Sequence, residues 1–206
     1  MGNNLDPTNM SALQFNVEST DLMHKICSPI LKKDIGVIVF TYCRIFNNGT
    51  RLYLCTCPEW VKHYISHNFQ DNVEHQSSYA PCDNNTHSLW TGFKEDDVWN
   101  ALRNHFNRWH GFSIYERHED YIDSFDFTAR LDCPHVTNYY LNNMEFLYEF
   151  IRDFKKNAAT LMDPKDKRKL IVSKIWRPFE KTPQNLLLSK EKMNNFLWQT
   201  SLNSSL

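Results

Sequence analysis

Long apolar runs are missing from this 206-residue sequence, and nothing in it approaches the roughly 18 consecutive apolar residues of a membrane-crossing helix. Charge of one sign is missing too: 23 Lys and Arg face 24 Asp and Glu, leaving a net charge of −1. A nucleic-acid binder ordinarily carries a basic excess or stripe. The one dense basic stretch, Lys165-Asp166-Lys167-Arg168-Lys169, is broken by an acid and reads as a solvated helix face. Neither direct nucleic-acid binding nor a membrane role is therefore expected of this chain. Glycine is scarce, at 5 residues, and the glycine-built motifs are absent with it. There is no Walker loop, no dinucleotide-binding pattern and no Gly-x-Ser-x-Gly elbow, nor a His-Glu-x-x-His. The opening residues Met1 to Leu5 have neither the positive nor the apolar region of a secretory signal. The segment also lacks the Ser or Thr of a myristoylation signal.

Six cysteines are spread through the chain without a zinc-site spacing. Cys55-x-Cys57 has no Cys-x-x-Cys counterpart, and Cys133-x-His135 and Cys82 with His87 are isolated pairs. They read as reduced core or loop thiols in a cytoplasmic protein, and neither a metal nor a cofactor is expected. The carboxylates Glu116, Glu119, Asp120, Asp123 and Asp126 gather about one predicted turn and read as solvated charges, not as general acids or bases. With a catalytic motif absent, the chain is not expected to be an enzyme.

What the sequence does have is aromatic side chains, 14% of residues, enough for a packed core and for the lining of an apolar pocket. Residues 1–18 are polar and predict a flexible start. From Ser19 the apolar residues Leu22, Met23, Ile26, Cys27 and Ile30 recur at helical steps. Residues 36–46 and 51–56, rich in β-branched and aromatic side chains, flank Asn47-Asn48-Gly49-Thr50 and predict a hairpin. Alternation sets Leu52 and Leu54 on one face of it, Arg51, Tyr53 and Cys55 on the other. Pro58 opens a short helix on which Trp60 and Tyr64, four apart, share a face. Residues 66–89 read as a long loop. Asp96-Asp97 starts a helix carrying Val98, Ala101, Leu102, His105, Phe106 and Trp109, with Gly111 as its C-terminal stop. Strands are predicted at 112–116 and 121–130, a long helix over 137–161, a shorter one over 167–176, and a weakly helical tail over 181–206.

This order predicts an α/β (α+β) domain over residues 19–180, in which one antiparallel sheet is sandwiched between helices in the PAS or GAF manner. Such a scaffold licenses no function by itself.

Two stretches of sequence say more. Phe40-Thr41-Tyr42-Cys43-Arg44-Ile45-Phe46-Asn47-Asn48-Gly49-Thr50-Arg51, leading to Cys57-Pro58-Glu59-Trp60 and Tyr64, resembles the sensor half of LuxR-type transcription regulators. Asn138-Tyr139-Tyr140-Leu141-Asn142-Asn143-Met144-Glu145, followed by Leu147, Phe150 and Phe154-Lys155, is similar to the helix that closes that domain. The resemblance spans roughly residues 21–175 and implies a bacterial, quorum-sensing-like protein. It implies a ligand site at Trp60 and Tyr64, with Trp90 as a further aromatic. Tyr42, Tyr53 and Phe40 on the hairpin are candidates for the opposite wall, and Phe106 and Trp109 are further candidates. It also implies dimerisation, through the long helix, with itself or with a related regulator.

Two departures qualify it. The Asp-Pro pair that accepts the ligand amide in autoinducer receptors does not follow Tyr64, where Asp71 precedes Asn72, so a homoserine lactone is disfavoured. A helix-turn-helix does not fit in the residues after Leu188-Ser189-Lys190-Glu191-Lys192-Met193. The expected function is a sensor module for a small amphipathic molecule, without its DNA-binding half. Its rivals are a ligand-free interaction protein that modulates a full-length regulator and an enzyme or effector on the same scaffold. A cavity of several hundred cubic ångströms beside Trp60 and Tyr64 is what the sensor reading expects.

Overall fold

The computed structural model describes residues 6–32, 34–72, 75, 86–90 and 96–175. Helix α1 (Pro7–Cys27) begins well before Ser19, because Asp6 caps it by accepting the Thr8 N–H at 2.8 Å and Pro7 follows as its first residue. The predicted flexible start is thus helical from Pro7 onward. Its inward face escapes a count of apolar periodicity because it carries amides. Asn16 donates to the Tyr53 carbonyl and accepts from the Cys55 N–H, while Asn9 bonds both backbone groups of Val172.

Strands β1 (Val37–Phe46) and β2 (Arg51–Cys55) form the predicted hairpin, pairing Arg44 with Leu52 across a turn in which Gly49 supplies a φ of 84°. Helix α2 (Pro58–Ser66) and a 3₁₀ turn (Phe69–Asp71) follow, then β3 (His87–Leu89), so residues 66–89 are not wholly loop. Helix α3 (Asp97–Phe106) stops earlier than predicted. Asn107 takes the left-handed conformation at φ 51° and donates its N–H to the Leu102 carbonyl. Trp109 and Gly111 therefore lie on β4 (Arg108–Arg117), which pairs with β5 (Tyr121–Arg130). The long predicted helix is two, α4 (Val136–Asn142) and α5 (Met144–Asn157), broken at Asn143. In place of a helix over 167–176 there is a 3₁₀ turn (Lys167–Lys169) and a two-residue β6 (Leu170–Ile171). The predicted tail helix and the 181–206 tail lie outside the described residues.

The sheet runs β3-β4-β5-β1-β2-β6, antiparallel at every pairing, in a mixed α/β fold with helices on both faces. One face packs Phe40, Tyr42, Leu52, Leu54, Phe125 and Phe127 against Phe150 and Phe154 of α5, Tyr140 of α4 and Met23 of α1. The other packs Cys43, Tyr53 and Cys55 against Trp60 and Tyr64 of α2 and Val98, Trp99 and Leu102 of α3. Among the described residues no helix is long and apolar enough to cross a membrane.

Candidate functional site

Alternation along three strands decides what the α2/α3 face offers. With Phe112, Phe125 and Phe127 committed to the other face, Ser113, Tyr115, Ser124, Asp126 and Thr128 must point to this one. All five are buried, Ser124 at 0% and Ser113 at 1% exposure. Asp126 is the centre of the group: its Oδ1 accepts from Ser113 Oγ at 2.6 Å and from Ser124 Oγ at 2.7 Å. Burial pushes its carboxyl up to about 6 against the pull of those two hydroxyls. Sequence reasoning put Asp126 among solvated turn charges. It is instead an interior acid, and so is Asp123 on the opposite face. The signal was present, since Ser124, Asp126 and Thr128 alternate in phase on a strand whose two faces both needed helices.

Helix α2 lowers an aromatic roof onto this floor. Trp60 donates its indole N–H to Tyr53 Oη at 2.9 Å, and the Tyr53 and Tyr64 rings stack at 5.3 Å. The Tyr64 hydroxyl accepts from the Arg51 guanidinium, so its own proton is free to be donated onward. Burial raises the Tyr64 hydroxyl to about 12, which keeps it protonated. Trp90 comes from beyond β3 and lies flat on Gly111, where a Cβ would sit 2.1 Å from the indole. The Trp90 N–H donates to Ser113 Oγ at 2.8 Å, which links the roof to Asp126. Trp99 of α3 meets Trp90 edge-on at 4.7 Å. Its backbone N–H is capped by Asp96 at 2.9 Å, and Asp96 lies 3.5 Å from Nδ1 of the buried His75. Burial works to raise the Asp96 pKa, but the His75 contact and the α3 N–H groups overcome it and hold it low.

Tyr53, Trp60, Tyr64 and Trp90 thus meet around one cavity, with Trp99, Arg108, Ser113 and Asp126 completing the wall. Phe106 packs edge-on against Trp60 at 5.1 Å, behind the roof. Tyr42 is not part of the site. It lies on the opposite face with Phe40, and its hydroxyl donates to Asp123 Oδ1 at 2.8 Å beside the Arg44–Asp123 pair. The parity of β1 decides this: Thr41, not Tyr42 or Phe40, faces the cavity. The cavity encloses about 30 Å³, room for about two water molecules. The open space of several hundred cubic ångströms expected from the sequence is therefore not there, because the indoles of Trp60, Trp90 and Trp99 fill it.

No protein-family model matches this chain, and no curated protein does. Among solved structures it is similar to an N-acylhomoserine lactone-dependent LuxR-family transcription factor, CepR2 from Burkholderia cenocepacia, at 13% identity and a TM-score of 0.46. The likeness covers 76% of this chain and 97% of that one. At that level it leaves the function to be argued from the chain's own residues.

Proposed function

We propose that this chain is a small-molecule-sensing domain whose site is the Asp126 cavity, held closed by its aromatic roof when no ligand is bound. The carrying observation is the gathering of Thr41, Ser113, Ser124, Asp126 and Thr128 beneath the aromatic roof on one buried face of the sheet. Packing alone does not require them there, since a buried polar group contributes at best about 1 kcal/mol when paired and costs about 1–3 kcal/mol when it is not. The ligand class follows from the wall: a small amphipathic molecule with an N–H or O–H donor for Asp126 and an apolar body for the indoles. Because the closed cavity is small, binding requires α3 and its Trp99 to move outward, and the energy of that opening reduces the apparent affinity. A regulatory role as a cytoplasmic module, paired with a second copy or a related regulator, belongs to the same reading.

The small volume also favours a second reading, in which the cavity holds only water and the chain works by contact with a protein partner. Mass spectrometry of small molecules released from purified, denatured protein separates the two. The sensor reading expects one compound at near one per chain, lost from Asp126→Asn and Ser113→Ala variants that still fold. Recovery of no compound from the wild type, together with no thermal stabilisation by a library of amphipathic amides and amines, would overturn it.

A further inference from the structure

Outside the cavity, a groove of about 370 Å³ runs between α2 and α3 on their solvent side. Three imidazoles converge on it: His63 in the last turn of α2, His67 at that helix's C-cap and His105 in the last turn of α3. The His63 and His67 ring centroids are 3.9 Å apart, and those of His63 and His105 are 5.8 Å apart. His63 is wedged between Phe69 at 5.6 Å and Phe106 at 5.3 Å, which fixes its ring over the groove. His67 places Nδ1 2.9 Å from the His63 carbonyl, which can only accept, so the proton is on Nδ1 and the lone pair is on Nε2.

We propose that His63, His67 and His105 form a binding site for a divalent transition-metal ion of the zinc class, bridging α2 and α3. Histidines at i and i+4 are a chelating pair on a helix. Two imidazoles sharing one tetrahedral ion, each bonded at about 2.1 Å, place their centroids about 5 Å apart. The His63–His105 separation is close to that value. The stacked His67 ring is too near, and being exposed it can turn to aim a ring nitrogen at the shared point, giving up its contact with the His63 carbonyl. The fourth coordination position is left to water.

Glu116, His118 and Asp123, by contrast, already have their ligand atoms within 4.8 Å of one another. Cations already occupy that cluster: Arg44 holds both Asp123 oxygens and Lys155 holds Glu116. A metal there would have to displace both.

This inference does not depend on the Asp126 cavity. Its test is titration of the full chain with zinc sulfate slightly above neutral pH, read by calorimetry and thermal unfolding. One ion per chain and a raised Tm are expected. His105→Gln and His63→Gln should each weaken binding by at least ~10-fold, and His118→Gln should not. His105 is exposed, so the apo Tm of His105→Gln should match the wild type. Cobalt(II) in place of zinc should give the visible absorption of a tetrahedral nitrogen site without a sulfur charge-transfer band. The proposal is overturned by absence of binding, by binding that His105→Gln leaves unchanged, by loss in His118→Gln, or by a sulfur band from one of the free thiols.

Discussion

On the face covered by α4 and α5, the central strands present Phe40, Phe112, Phe125 and Phe127; on the face covered by α2 and α3, the same strands present Thr41, Ser113, Asp126 and Thr128. Both faces are buried to a similar depth, so the difference is one of chemistry, not of exposure. The first is a herringbone of rings: Phe40 meets Phe127, Phe150 and Phe154 at 5.3, 5.0 and 4.9 Å, mostly edge-on. The second is a hydrogen-bonded floor beneath indoles. One face is held by apolar packing, while the other offsets the burial of its polar groups through hydrogen bonds among Ser113, Ser124, Asp126 and Trp90.

That contrast can be broken at several points. The largest effect should come from Phe154→Ala, which empties the herringbone and should destabilise the protein by about 3–5 kcal/mol in urea unfolding. Next is Asp126. Its pKa is raised on folding, from 3.8 to about 6, so the neutral form is the one the fold prefers. The associated stability is full below about pH 4, is lost as pH rises through about 6, and totals about 3 kcal/mol. Asp126→Asn should abolish that slope and be the more stable protein above pH 7; an unchanged pH profile would show that the carboxyl is solvated. Gly111→Ala should cost about 1–3 kcal/mol, because its methyl displaces the Trp90 ring, and should red-shift tryptophan fluorescence as the indole is exposed. The smallest effect belongs to the apolar face. The Tyr140 hydroxyl is buried there without a hydrogen-bond partner, and Tyr140→Phe should gain up to about 1 kcal/mol.

Much of the fold was legible where local chemistry and tertiary structure agree. The hairpin turn at Asn47-Asn48-Gly49-Thr50 and the alternation of Phe125 and Phe127 belong to this group, as does the shared face of Trp60 and Tyr64. The start of α1 was not legible, since its buried side is held by Asn9 and Asn16 through backbone hydrogen bonds rather than by apolar burial. The end of α3 was misplaced because Asn107, not Gly111, takes the left-handed cap; the glycine answers to the indole lying across it. Of the candidate site, the meeting of Tyr53, Trp60, Tyr64 and Trp90 around one cavity was legible. Tyr42 was not, because strands buried on both sides give no polar–apolar cue to parity. Asp126 was missed for a related reason: acids on a strand suggest solvent until both flanking layers are known. The volume left between the rings is set by rotamers and helix placement, which no pattern of residue types records.

The single residue between α3 and β4 has a mechanical consequence. Asn107 joins the helix that carries Trp99 to the strand that carries Ser113 without any intervening slack. At that end α3 is tied to the sheet, so an outward motion would be a swing with Asn107 as the pivot, carrying Trp99 two turns away. A residue that resists left-handed backbone, such as Ile or Val, would strain that pivot and loosen the junction of α3 with β4 without touching the cavity itself.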